Sequence, residues 1–129
     1  MYDNPMSLMY NFPNMDFGAA AGNTTHWIAG PAGKKGKLKE VGVITTEATV
    51  FATTLGKVQV GIATDLDAHA ELNIATATAI KTVFNSGDDA DAIIDEDIDA
   101  DTALAVTLIE GTGAGLTGQG YPYVIIDWY

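Results

Sequence analysis

The sequence predicts an all-β fold, an antiparallel sandwich of two sheets, on the strength of three observations. Apolar and polar residues alternate in short runs such as Val58, Val60 and Ile62, which is the period of a strand with one buried face. Turn-forming residues, mainly glycine and asparagine, interrupt these runs about every 8 to 12 residues. The chain carries no convincing apolar run at helical spacing. This pattern favours a two-sheet sandwich or a small barrel over an α/β fold.

About seven to nine strands are expected between Thr25 and the C-terminus. In the run that begins at Leu38 the alternation slips by one residue between Leu38 and Val41 and then continues at Val43, which predicts a β-bulge. The closing strand should place Trp128 in the core, because Trp128 shares its parity with Val124 and Ile126. The candidate strands are residues 25–29, 38–45, 47–53, 57–63, 68–74, 78–84, 93–94, 104–108 and 124–128.

Residues 1–22 differ from the rest of the chain. They contain all four methionines, together with tyrosines and phenylalanines, and no evident strand or helix period. We therefore expect an extended N-terminal arm over residues 1–22, followed by a sandwich domain over residues 23–129. An apolar terminal segment needs a surface to cover, either on its own domain or on a neighbouring molecule.

Composition excludes several classes of partner. The chain has 129 residues, which suits one domain, and a formal net charge of -11 with six lysines and no arginine. Such a charge repels phosphate backbones, so a nucleic-acid partner is not expected. No apolar stretch approaches the about 20 residues that span a bilayer, and no secretory signal is evident. The absence of cysteine rules out disulfides and thiolate metal sites.

The charges are strongly segregated along the chain. Four of the six lysines fall within residues 34–39, and eight acidic residues fall within residues 88–101. This distribution predicts a surface with opposite poles. The two runs are either solvated loops or a means of steering neighbouring subunits.

No constellation in the sequence satisfies the requirements of a cofactor or metal site. Asp95, Asp97 and Asp99 alternate as in an EF-hand loop, but Ala100 and Val106 stand where that loop needs glycine and glutamate. A calcium site of another type in the acidic run remains an alternative to a solvated loop. The glycine-rich stretches fail the phosphate-loop and dinucleotide patterns. No cofactor is therefore expected.

Catalytic groups are also sparse. His69, with Asp65, Asp67 and Glu71 near it in the sequence, is the only possible acid-base cluster, and its parity predicts that it faces solvent. The two serines have no evident base and orienting acid. We therefore expect a protein that is not an enzyme.

Two stretches carry a more specific likeness: WIAGPAGKKGKLKEVGV and DIDADTALAVTLIEGTGAGLTGQGYPYVIIDWY. The first combines an aromatic and apolar strand, a glycine-lysine turn and a second apolar strand. The second combines an Asp-Thr strand, a glycine-rich connection and a closing strand that ends in Asp-Trp-Tyr. In these features the chain resembles the small jelly-roll proteins of tailed bacteriophages, which include capsid decoration or cement proteins and related head-associated proteins.

This resemblance implies a jelly roll of about eight strands, usually trimeric, which sits on the assembled capsid and clamps neighbouring major capsid proteins. It also implies a location on the virion surface after synthesis in the host cytoplasm, and no cofactor. Within the arm, the expected capsid contacts are Tyr10, Phe12, Met15 and Phe17, because aromatic residues and methionine are enriched in interface cores.

The alternative is a carbohydrate-binding or host-surface-binding sandwich of a virion fibre or tail. Such a module needs an exposed aromatic platform. Tyr121 and Tyr123 are the candidates for it, since Trp128 is expected in the core.

Overall fold

A computed structural model of the protein describes residues 6–18, 23–76 and 78–129. Every regular element among these residues is a β-strand, which confirms the all-β prediction. The described residues contain no helix long and apolar enough to cross a membrane. The strands are β1 (Met6–Asn11), β2 (Met15–Asp16), β3 (Thr24–Ile28), β4 (Gly36–Val50), β5 (Lys57–Ile62), β6 (Asp65–Asn73), β7 (Val83–Asn85), β8 (Asp97–Ile98), β9 (Leu104–Ile109) and β10 (Thr117–Trp128).

The strands form two antiparallel sheets. In the first, sheet A, the order is β1-β10-β4-β7, with β2 also paired to β10 and β8 also paired to β4. In the second, sheet B, the order is β3-β9-β5-β6. Apolar side chains from both sheets form one buried cluster, as expected for a sandwich in which each sheet has one inward face.

The pairing of the strands is nested. The first two strands pair with the last one, β10, and β3 pairs with β9. Farther inside the chain, β4 pairs with β7 and β8, and β5 pairs with β6. The strands of the first half of the chain thus pair, in reverse order, with the strands of the second half. Two further pairings, between β10 and β4 and between β5 and β9, complete the two sheets.

The predicted bulge in the strand that contains Leu38 and the predicted burial of Trp128 are both confirmed. In the pairing of β10 with β4, Ile125 lies opposite Glu40 and Ile126 lies opposite Leu38, so Lys39 is the extra residue. The slip in alternation had indicated this position. Trp128 is 2% exposed and belongs to the core.

The prediction of two strands over residues 38–53 is wrong, because β4 runs unbroken to Val50 along the length of β10. Residues 78–84 were expected to form a strand and are mostly irregular. The hydroxyl of Thr45 donates to the carbonyl of Ala79 at 2.6 Å, and the backbone N–H of Thr78 donates to the hydroxyl of Thr49 at 2.9 Å. Threonine side chains, together with a few backbone hydrogen bonds, thus hold this segment against β4.

Aromatic rings close the sandwich by packing on glycines. The Trp128 ring covers Gly36, where an added Cβ would lie 2.7 Å from ring atom Cζ3, and it covers Gly30 as closely. Beyond the other end of β4, the Phe51 ring lies against Gly111. The abundance of glycine thus serves packing as well as turns.

We expect Gly36→Ala to destabilise the fold by about 1–3 kcal/mol, because the added methyl group must displace the Trp128 ring. The free energy of unfolding from urea denaturation measures this effect. Ala32→Ser is the matched control, since it adds one atom to an exposed position of the adjoining turn. Equal stability of Gly36→Ala and the wild type would contradict the tight packing of Trp128 on Gly36.

Candidate interaction surface

The residues predicted to contact a capsid lie largely inside their own domain. Phe17 is 1% exposed, and Phe12 and Met15 are 9% exposed. All three belong to the core cluster, and Tyr10 packs against it. That these residues contact a capsid stays a prediction, but the three buried side chains would have to leave the core to do so.

The expectation that residues 1–22 form an arm without a regular element is wrong for the residues that the structure describes there. Residues 6–11 form β1, which pairs with β10 in unbroken register. The side chain of Trp128 fixes this pairing, because its Nε1 donates to the hydroxyl of Tyr10 at 2.9 Å. Of the two surfaces considered for this segment, the structure places it on its own domain. Residues 1–5 and 19–22 lie outside the described residues.

The possible acid-base cluster does not assemble. His69 is 8% exposed rather than solvent-facing, because residues 92–95 pack along β6 and the carbonyl of Asp95 lies 2.9 Å from its Nδ1. Glu71 accepts hydrogen bonds from Lys57 and Gln59. Among the residues that the structure describes, no three histidine or acidic side chains are grouped closely enough to hold a metal ion.

The prediction of opposite charged poles is also wrong. Strand β8, within the acidic run, pairs with the start of β4, within the lysine run. Lys37 lies 3.4 Å from Glu96, and the pKa of Lys37 is raised by its hydrogen bond and charge interaction with Glu96. The backbone N–H of Gly33 donates to Asp101 at 2.8 Å. The two runs therefore contact each other within one molecule.

The aromatic candidates for a glycan platform have different environments. Tyr123 is 3% exposed, and its hydroxyl donates to Glu40 at 2.5 Å. Its ring lies across the backbone of Gly42, where a Cβ would be 2.5 Å from Cζ. Burial and the hydrogen bond to Glu40 raise the pKa of Tyr123 to about 12. Tyr121 is 48% exposed and is the remaining candidate.

An exposed apolar surface lies on the side of sheet A that faces away from the core. Directly opposed residues of neighbouring strands share a face of the sheet. Tyr121 on β10 lies opposite Ile44 on β4, which lies opposite Val83 on β7. Farther along β10, Ile125 lies opposite Met9 on β1. We name these five residues the outer apolar face.

Four of the five residues of the outer apolar face are exposed to solvent, and Ile125 is half-buried. Tyr121, Ile44, Val83 and Met9 are 48%, 37%, 49% and 48% exposed, respectively. Tyr121, Ile44 and Val83 are direct neighbours in one row across the sheet. A group of adjoining exposed apolar residues is typical of an interaction site, whereas single exposed apolar residues are common on any protein. The sequence reasoning missed this surface, although the alternation of Ile44 with buried Val43 and Thr45 was available in the sequence.

Comparisons of this chain with protein-family models, with curated protein sequences and with solved structures give no match.

We expect Phe17→Ala to destabilise the whole domain by about 3–5 kcal/mol, the usual cost of removing a buried phenylalanine ring. Thermal or urea unfolding of the variant measures this. Tyr121→Ala, which removes an exposed ring, is the control and should change stability by less than about 1 kcal/mol. A fully stable Phe17→Ala variant would mean that this segment is a separable arm after all.

Tyr123 should make stability depend on pH in the alkaline range. Its folded-state pKa of about 12 lies above the value of about 10 in the unfolded chain, so the stabilisation is complete below pH 10 and is lost as the pH rises from 10 to 12. The difference in unfolding free energy between the wild type and Tyr123→Phe should therefore be constant up to about pH 10 and then shrink. A difference that stays constant to pH 12 would contradict the assignment.

Proposed function

We propose that this chain is a virion structural protein, a decoration or cement protein that binds the major capsid protein on the surface of a bacteriophage head. Two features support the proposal. The sequence stretches around the glycine-lysine turn and the closing strand resemble that class of protein, and the outer apolar face offers a surface for burial against a capsid. Such a protein reaches the virion surface after synthesis in the host cytoplasm.

The nested strand pairing supports a jelly roll within this proposal. If β1 and β2 count as one strand and β7 and β8 as another, the described residues form eight strands that pair first with last, second with seventh, third with sixth and fourth with fifth. Rolling up such a long eight-stranded hairpin gives the two four-stranded sheets of a jelly roll. The orders β1-β10-β4-β7 and β3-β9-β5-β6 fit this description.

The observation that carries the proposal is the outer apolar face. A cement protein works by burying surface against subunits that are already assembled, so it needs an apolar patch that its own fold leaves uncovered. The central row, Tyr121, Ile44 and Val83, crosses three strands of one sheet and combines an aromatic ring with two branched aliphatic side chains. Aromatic residues of this kind dominate binding energy at interfaces. We therefore move the expected capsid contact from the N-terminal segment to this row.

Cosedimentation with empty capsids tests the proposal. Val83→Asp and Tyr121→Asp each introduce a charge that binding would bury, and we expect each to weaken capsid binding by about 2 kcal/mol, or about 30-fold. Leu66→Asp is the matched control, because Leu66 is 40% exposed on sheet B. Capsid binding that is unchanged in both sheet A variants, or absent in the wild type, would contradict the proposal.

The second candidate function, recognition of a glycan, rests on the exposed ring of Tyr121 alone. A glycan that stacks on this ring would be lost on Tyr121→Ala and retained on Val83→Asp. A capsid interface would be weakened by both substitutions, so the pair of variants separates the two functions.

A further inference from the structure

We propose that strand β1 pairs with β1 of a second copy of this chain, so that two molecules join edge to edge about a two-fold axis at Met9. This inference concerns self-association through the edge of sheet A and does not require the proposed function, although Met9 also belongs to the outer apolar face. It also departs from the trimer that the phage resemblance implies.

The edge of β1 that faces away from β10 is the site of the proposed pairing. Within the part of the chain that the structure describes, β1 pairs on one side only, with β10. The N–H of Phe12, the residue after β1, donates to the carbonyl of Pro122 at 3.0 Å, which continues the register of Asn11 opposite Tyr123. Because hydrogen-bonded and non-hydrogen-bonded pairs alternate along an antiparallel ladder, the backbone groups of Ser7, Met9 and Asn11 point away from β10. These three residues offer three N–H donors and three carbonyl acceptors along the edge.

This edge lacks the features that usually protect edges. Residues 6–11 contain no charged residue and no proline, and the register with β10 has no bulge. The opposite edge of sheet A is formed by strands of only two and three residues. At the β6 edge, residues 92–95 pair with the strand. An uncharged and regular edge such as β1 is a template for strand addition.

The edge of β1 is complementary to itself. A two-fold axis at Met9 places Met9 opposite its own copy and Ser7 opposite Asn11 of the second copy. Ser7, Met9 and Asn11 of both copies then donate and accept backbone hydrogen bonds across the axis. The three hydrogen-bonded pairs contribute two bonds each, which gives six N–H to carbonyl hydrogen bonds. An axis at Leu8 would pair only Ser7 and Met9 in this way.

Side chains and charge agree with this register. With the axis at Met9, the outer face of sheet A in one molecule continues into the outer face of sheet A in the other. The two Met9 side chains meet on that outer face, and Leu8 of one molecule meets Tyr10 of the other on the inward face. No charged side chain of β1 is involved, although each molecule carries a formal charge of -11. The carboxylate of β10 that lies nearest to this edge is Asp127, which is opposite Ser7. Since Ser7 pairs with Asn11 of the second copy, and Asn11 is opposite Tyr123, Asp127 is in line with Tyr123 of the second copy. The two Asp127 carboxylates therefore do not face each other.

Disulfide trapping tests the register, because the wild-type chain has no cysteine. In Met9→Cys the two thiols would lie on directly opposed residues with Cα atoms about 5.5 Å apart, a separation that a disulfide spans. We expect rapid formation of a covalent dimer on mild oxidation. Ser7→Cys is the control for register, because Ser7 is opposite Asn11 of the second copy and therefore lies four residues away from that copy's Ser7. Leu66→Cys is the control for crosslinking by random collision.

Mass measurement of the unmodified chain by sedimentation equilibrium provides the second readout. We expect a dimer that becomes a monomer in Met9→Lys, where two ammonium groups would meet at the axis, and that persists in Leu66→Lys. A monomeric or trimeric wild type would overturn the proposal. Crosslinking of Ser7→Cys or Leu66→Cys as fast as that of Met9→Cys would overturn it as well.

Discussion

The pairing of β10 with strands on both of its sides is the interaction on which the rest of the structure depends. β10 lies between β1 and β4 for most of its length and thereby joins the beginning, the middle and the end of the chain. Its inward residues, Val124, Ile126 and Trp128, are all buried. Each of these residues pairs with a residue of β1 on one side and of β4 on the other, and both strands are far from β10 in the sequence. Trp128 also donates a hydrogen bond to Tyr10 and packs on two glycines.

This arrangement fixes what each face of sheet A can do. The even-numbered residues of β10 from Val124 to Trp128 point into the core, so the odd-numbered residues, which include Tyr121 and Ile125, face outward. Tyr123 shares that outward parity, yet it is buried because its ring lies over Gly42 and its hydroxyl binds Glu40. The outer surface therefore contains an anchored tyrosine, exposed apolar residues such as Tyr121 and Ile44, and polar residues such as Glu40. Under the function that we propose, the exposed apolar residues would contact the capsid.

Local alternation was enough to predict the strand class, the bulge at Lys39 and the burial of Trp128, since each depends on the parity of neighbouring residues. The strand at residues 6–11 was missed although Met6, Leu8, Tyr10 and Phe12 alternate, because the apolar Met9 masks the pattern. The burial of His69 depends on residues 92–95 packing beside β6, and the contact between the two charged runs depends on β8 pairing with β4. Both are long-range pairings that local periodicity does not encode.

Amide hydrogen exchange along β1 tests the central claim, that the N-terminal segment is an integral strand of the sandwich, most directly. The amides of Leu8, Tyr10 and Phe12 face β10 in this structure, so they should exchange as slowly as those of Val124 and Ile126, through opening of the sandwich as a whole. Fast exchange at Leu8, Tyr10 and Phe12, with Val124 and Ile126 still protected, would show that the segment leaves the domain independently and would contradict the account.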